Sequence, residues 1–156
     1  ADYKDQALII EQNLKEVGIK VNIEYMDDGR LGDIIENQSF DTDMYIWGWT
    51  ADYGEPSFIL SVMLSSEIGG RSDCWYGNPE YDELYKLQAI TVDEDERVEI
   101  VHKMQEIIYR DSPYNVMYTQ TKVQAYRSDR WDNLQQWPDG NGGLLNYYTK
   151  LAVSPK

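Results

Sequence analysis

The amino-acid sequence predicts an α/β fold in which one mixed sheet is flanked by helices. Three patterns predict it: a helix followed by a strand near the start, an apolar run typical of a strand covered on both faces, and two capped helices in the second half. A chain of 156 residues is long enough to bury the core of one such domain.

The first predicted helix runs from Tyr3 to Val17 and is amphipathic. Its apolar residues recur at helical spacing, at Ala7, Ile10, Leu14 and Val17. Gly18 follows as a C-terminal stop. Residues 19–25 then alternate between apolar and polar side chains, which is typical of a strand with one buried face.

The middle of the chain contains a short predicted helix, Leu31–Gln38, and an apolar run, Met44–Trp49. The uniform apolar character of that run predicts a central strand. A loop follows, and Pro56 is placed to open a helix that runs to Leu64.

Two helices with clear start signals follow. Asn78 and Pro79 suit the cap and first position of one helix, and Asp93 with Glu96 forms a capping pair for the longest helix, which ends near Arg110. Strands are predicted at 116–119 and 123–126. The sequence therefore predicts one domain, 1–156, with an α/β core over 1–128 and an irregular tail over 129–156.

Composition excludes several classes of function. The net charge of −14 repels nucleic-acid phosphates, so nucleic acid is not an expected partner. One cysteine and one histidine provide neither an internal disulfide nor an imidazole cluster for zinc, so we expect no metal site and no cofactor. The apolar stretches are too short for a membrane-spanning helix.

Signals for catalysis are weak. His102 lies within a predicted helix among charged residues, and Cys74 lies in a loop without a residue to stabilise its thiolate, so neither predicts a nucleophilic site. Spacing alone leaves a pair of carboxylates for glycoside hydrolysis open. Together with the excess of Trp and Tyr, those carboxylates motivate the alternative of a secreted glycan-active hydrolase.

The most informative segment is the predicted central strand and the loop after it. Gly48 allows close backbone approach, Trp49 offers a rigid apolar face, and Asp52 suits a cationic group at the strand's carboxyl end. The candidate binding residues are Tyr45, Trp47, Gly48, Trp49, Thr50 and Asp52. These residues fit a binding cleft and a core strand with a solvated turn aspartate equally well.

An ordered set of short motifs extends over nearly the whole chain. It comprises Leu14, Gly18, Ile19 and Val21, then Phe40, Asp41, Trp47, Gly48, Trp49, Asp52, Tyr53 and Pro56, then Asn78, Pro79, Tyr81, Asp82 and Leu84, and finally Arg97, Ser112, Pro113 and Tyr114. In this order the motifs resemble the C-terminal part of the family 5 extracellular solute-binding proteins, the dipeptide, oligopeptide and nickel binding group of ABC importers.

The resemblance implies one lobe of a type II periplasmic-binding-protein clamshell, without enzymatic activity. It implies that residues 48–50 pair with a peptide backbone and that Asp52 holds the peptide's α-ammonium group. The expected partners are a peptide or similar solute, the ABC permease and an N-terminal lobe of the same protein. The expected location is extracytoplasmic, in the periplasm or as a cell-surface lipoprotein of a Gram-positive bacterium.

Two departures from the family pattern matter. Ile46 and Thr50 stand where some oligopeptide-binding members carry an arginine or a cysteine, so no anchor for a peptide carboxylate is evident. Family members also carry a leader peptide, a first lobe and a strand before the first helix. We therefore expect a truncated lobe whose exposed sheet edge favours self-association.

Overall fold

A computed structural model describes residues 3–37, 42–50, 55–119, 123–136, 143–144 and 146–156. Within these ranges the helices are α1 (Tyr3–Glu16), α2 (Asp28–Glu36), α3 (Ser57–Ser61), α4 (Pro79–Ile90), α5 (Glu94–Asp111) and α6 (Tyr147–Ala152). A 3₁₀ turn spans Ser65–Glu67. Strands β1 (Trp131–Asp132) and β2 (Ser154–Pro155) pair antiparallel, with Trp131 opposite Pro155.

Local sequence signals explain where the helices begin and end. Gly18 adopts a φ of 85° just after α1, which is the left-handed geometry that suits glycine at a helix end. The Asn78 side chain accepts from the N–H groups of Glu80 and Tyr81 at 2.9 and 3.3 Å and so caps α4. Asp93 caps α5 by accepting from the Glu96 N–H at 2.9 Å. These sequence predictions are confirmed.

The chain divides into two compact units. Unit 1 comprises Ala1–Gly48 and Val62–Asp82. Its buried apolar side chains are Ile35, Val62, Met63 and Tyr81. The Trp75 indole N–H donates to the Ile35 carbonyl at 2.9 Å, which adds a polar tie within this core.

Unit 2 comprises Trp49–Ser61 and Glu83–Lys156. Its core is a stripe along α5 together with one residue of α3: Ile100, Met104, Ile107 and Leu60. Spacings of four and three residues put the three α5 side chains on one helix face, as the apolar pattern of the sequence predicts. Gln88, on α4, is 1% exposed in the same unit.

Within 129–156, polar side chains link α6 to residue 135. The Thr149 hydroxyl accepts from the Gln135 N–H at 2.9 Å and donates to the Gln135 carbonyl at 2.8 Å. The buried Asn146 side chain donates to the same carbonyl at 2.7 Å and accepts from the Thr149 N–H at 2.9 Å. Because one carbonyl accepts from both side chains, the N-terminal turn of α6 is fixed to the chain at 135.

The mixed sheet that the sequence predicts does not appear in the described part of the chain. The segments 19–25, 44–49, 116–119 and 123–126 are not paired as strands there. Alternation and apolar runs specify which side chains share a face, whereas a strand is stable only when a neighbour takes up its backbone N–H and C=O groups. Over the described residues the chain is helix-rich with one two-stranded sheet, which is consistent with part of an α/β lobe but lacks the predicted strand pairing.

Candidate functional site

The first half of the candidate segment lies in unit 1. Tyr45 and Trp47 are half-buried, and the Tyr45 hydroxyl donates to the Asp73 carbonyl at 2.7 Å. Burial, together with the nearby acidic Asp73 and Cys74, raises the pKa of Tyr45 well above its ordinary value. The hydroxyl is therefore a neutral donor engaged inside unit 1.

Gly48 lies at the end of this half and is exposed. A Cβ atom at this position would lie 3.2 Å from the Tyr3 hydroxyl, closer than ordinary van der Waals contact. In unit 1 the group close to this glycine is the Tyr3 side chain, whereas the sequence predicts the approach of another backbone, which stays a prediction.

Trp49 and Thr50 lie in unit 2 and are exposed. Trp49 keeps 37% of its surface exposed, and its ring packs edge-to-face against Phe58 on α3, with ring centroids 6.0 Å apart. This geometry is the favourable one for two aromatic rings. Asp52 lies outside the described residues, as do Phe40, Asp41 and Tyr53 of the resemblance.

A polar cluster follows the segment in unit 2. We call it the anchor cluster and define it as Glu55, Ser57, Gln88 and Arg97. The Ser57 hydroxyl donates to Glu55 at 2.8 Å and accepts from Arg97 at 3.2 Å. Arg97 donates through Nε and Nη2 to the Gln88 side-chain oxygen at 3.1 and 2.9 Å. Arg97 also forms a direct ion pair with Glu55.

The charges of the anchor cluster compensate each other. Burial acts to raise the pKa of Glu55, but hydrogen bonds from Arg97 and Ser57 and the charge of Arg97 outweigh it and lower the pKa. Glu55 is therefore ionised at neutral pH, opposite a guanidinium that is always charged.

Sequence reasoning found Arg97 through the resemblance but missed Glu55, Ser57 and Gln88 as its partners. Glu55 and Arg97 lie 42 positions apart, a separation that no local pattern connects. One signal was available for Gln88: it lies seven residues after the buried Tyr81 and so falls on the same face of α4.

The structure also places the two residues that the sequence analysis weighs for nucleophilic catalysis, His102 and Cys74. His102 is exposed on α5, and burial raises the pKa of the Cys74 thiol, which disfavours its reactive thiolate. Across the described ranges, no group of three or more His, Cys, Asp or Glu residues is placed to hold a metal ion. No helix in those ranges is both long and apolar enough to cross a membrane.

Comparison with known proteins relates the chain to binding proteins. Residues 1–71 match the family of bacterial extracellular solute-binding proteins, family 5 Middle. Glutathione-binding protein GsiB from Salmonella typhi is 26% identical over 74% of this chain and 24% of its own length. The proteins of the same name from Escherichia coli (strain K12) and Shigella flexneri give the same values.

The matched region spans about a quarter of the length of these relatives. No solved structure gives a significant match. The family match includes the segment 45–50 and α3, and the relatives are named as binding proteins, not as enzymes. The resemblance that the sequence carries is therefore confirmed: the chain is similar to the family 5 extracellular solute-binding proteins, with the family match over residues 1–71.

Proposed function

We propose that the protein carrying this chain is the substrate-binding component of an ABC importer. It captures a peptide or a related solute outside the cytoplasmic membrane, in the periplasm or as a surface lipoprotein, and delivers it to the permease. The observation that carries this proposal is the family match over residues 1–71, which contains the candidate segment. The family architecture adds a second lobe, and the higher affinity of a closed form would drive closure around the ligand.

The proposed recognition combines a backbone pairing with a charged anchor. The backbone of residues 48–50 adds to an extended ligand as a strand does, Trp49 provides an apolar contact, and Asp52 pairs with the ligand's ammonium group. The exposure of Trp49 and Thr50 supports this role, because both can meet a ligand without local unfolding. An ammonium group taken out of water costs several kcal/mol unless an anion compensates it.

Glutathione is the first ligand to test, because the relatives are named for binding it. Titration calorimetry of the full-length protein with glutathione, tri-alanine and N-acetyl-tri-alanine measures whether a free amino group is recognised. We expect at least one free-amino peptide to bind and to survive unchanged. Absence of binding to every member of this panel contradicts the peptide proposal.

The charged anchor is tested by Asp52→Asn in the full-length protein. Loss of a charge-assisted hydrogen bond of about 1.5–3 kcal/mol weakens binding of the free-amino peptide about 10- to 150-fold. The acetylated peptide, which carries no ammonium group, should lose much less. An equal loss for both peptides would remove Asp52 from this role.

The alternative of a glycan-active hydrolase differs in one observable. Incubation with glycans followed by mass spectrometry detects cleavage products if paired carboxylates hydrolyse glycosidic bonds. We expect the glycans to be recovered intact, because the relatives are named as binding proteins. Product formation that disappears in a carboxylate variant would favour the hydrolase instead.

A further inference from the structure

Residues on both sides of the segment 51–54, Trp49 and Glu55, contact the same short helix, α3. On one side, Trp49 packs edge-to-face on Phe58 of α3. On the other side, the Glu55 carboxylate accepts from the Ser57 N–H at 2.9 Å and from its hydroxyl at 2.8 Å, at the first residue of α3. The position of α3 therefore determines where both flanks lie within unit 2.

Helix α3 is in turn fixed by the rest of unit 2. Leu60 and Ser61 are 7% and 4% exposed, so this face of the helix is in the core. Tyr85 donates its hydroxyl to the Ser57 carbonyl at 3.3 Å. Arg97 reaches the Ser57 hydroxyl from α5 at 3.2 Å. A helix of only five residues has little stability of its own, so these contacts hold it.

Arg97 is the residue on which the contacts converge. Its guanidinium donates to Glu55, Ser57 and Gln88, and these partners come from before α3, from α3 and from α4. The planar fork of an arginine serves several acceptors in fixed directions, which a lysine cannot reproduce. Gln88 is 1% exposed, so removal of Arg97 leaves a buried amide oxygen without its donor.

We propose that Arg97 and Glu55 are positioning residues for Trp49 and Thr50, two of the candidate binding residues. The anchor cluster, acting through α3, sets the position of Trp49 and Thr50 and thereby the affinity for ligand, without touching the ligand itself. This inference rests on the proposed function, because it assigns to the cluster a role in the same site. It predicts that the cluster controls affinity as well as stability.

The test uses Arg97→Met and Arg97→Lys in the full-length protein, with tri-alanine and glutathione as probes. Calorimetry is carried out at a temperature where circular dichroism shows each variant to be folded. We expect Arg97→Met to bind about 10-fold more weakly, and Arg97→Lys to lie between it and the wild type, because the charge remains while the fork is lost. A merely structural residue would lower the melting temperature and leave the dissociation constant of the folded protein unchanged.

Two further variants complete the design. Arg127→Met is the matched control. Arg127 also donates hydrogen bonds to a carboxylate, that of Asp129, at 2.7 and 2.5 Å, but it is exposed and lies outside the anchor cluster. The Arg127→Met variant should therefore bind the probes as the wild type does. Glu55→Gln tests the cluster if Arg97→Met does not fold, and it should weaken binding in the same direction. Affinities within twofold of the wild type for Glu55→Gln and the folded Arg97 variant overturn this inference alone. A wild type that binds neither probe overturns the proposed function and the inference with it.

Discussion

At the scale of single residues, the hydrogen bonds of the Tyr45 and Arg97 side chains join positions far apart in sequence. Tyr45 bonds the Asp73 carbonyl 28 positions away, and Arg97 bonds Glu55 42 positions away. The sequence indicates Tyr45 and Arg97 as residues of interest, but it does not indicate which residues form hydrogen bonds with them. Pairing over such separations is decided by tertiary packing, so the sequence can propose a candidate segment but does not reveal the anchor cluster.

Tyr45→Phe tests the bond inside unit 1. The substitution removes the donor to the Asp73 carbonyl and should lower the free energy of unfolding by about 1 kcal/mol. Urea denaturation followed by tryptophan fluorescence measures the change. Tyr109→Phe is the matched control, because Tyr109 is 87% exposed and its substitution should change stability by less than about 0.5 kcal/mol. Equal changes in the two variants would contradict a specific role for the Tyr45 hydroxyl.

Glu55 should make stability depend on pH in the acid range. The pKa of its carboxyl group is lower in the folded protein than its ordinary value of 4.5, so the ionised form stabilises the fold above that value. This contribution is lost as the pH falls through the lowered pKa of the folded state. Melting temperatures between about pH 3 and pH 7 should therefore differ most between wild type and Glu55→Gln at neutral pH and converge at the acid end. A constant difference across the range would count against the ion pair with Arg97.

At the scale of elements, helices were predictable and strands were not. The ends of α1, α4 and α5 follow from Gly18, the Asn78–Pro79 pair and Asp93, because a helix satisfies its backbone within one segment. The segments 19–25 and 116–119 show strand patterns but are not paired as strands. Conversely, β1 and β2 contain two residues each, so they are too short to be predicted from an alternating pattern of apolar and polar residues.

The N-terminal cap of α5 is a prediction at this scale. Asp93→Ala leaves the Glu96 N–H without its acceptor and should reduce the free energy of unfolding by about 1 kcal/mol. Asp93→Asn keeps a side-chain oxygen at the same place and should retain most of the stability. Thermal denaturation of the two variants separates the loss of the cap from the loss of a negative charge. A larger loss for Asn than for Ala is the result that would refute capping.

The link between α6 and residue 135 gives a second prediction. Thr149→Val keeps the shape of the side chain but removes the acceptor for the Gln135 N–H and a donor to its carbonyl. Leaving such a group unsatisfied costs about 1–3 kcal/mol. Hydrogen exchange should then become faster at the Gln135 amide while the amides of α5 keep their rates. Unchanged exchange at Gln135 would show that this bond does not hold the segment.

At the scale of the whole molecule, net charge and exposed apolar residues act in opposite directions. The chain carries a net charge of −14, which opposes contact between copies. Val116 and Val123, in the segments predicted as strands, are 80% and 88% exposed. Exposed β-forming segments of this kind favour pairing between chains once repulsion is weakened.

Self-association should therefore increase with salt. Sedimentation velocity at low and high ionic strength should show a shift towards larger species as screening grows. Val123→Lys should reduce that shift by adding charge within the predicted strand. Val92→Lys is the control, since Val92 is 98% exposed but lies outside the predicted strands. If both variants reduce association equally, charge alone explains the effect and the strand segment has no special part in it.

The exchange of the Trp75 indole proton with solvent can report local opening of unit 1. The indole N–H of Trp75 donates to the Ile35 carbonyl, with the nitrogen and oxygen 2.9 Å apart. The backbone of Trp75 adopts a left-handed φ of 53°. In a nuclear magnetic resonance spectrum this proton should give a shifted indole signal that exchanges slowly with solvent, whereas the indole of Trp131, 45% exposed, exchanges fast. Loss of that slow signal would register opening around α2 before any global transition is visible.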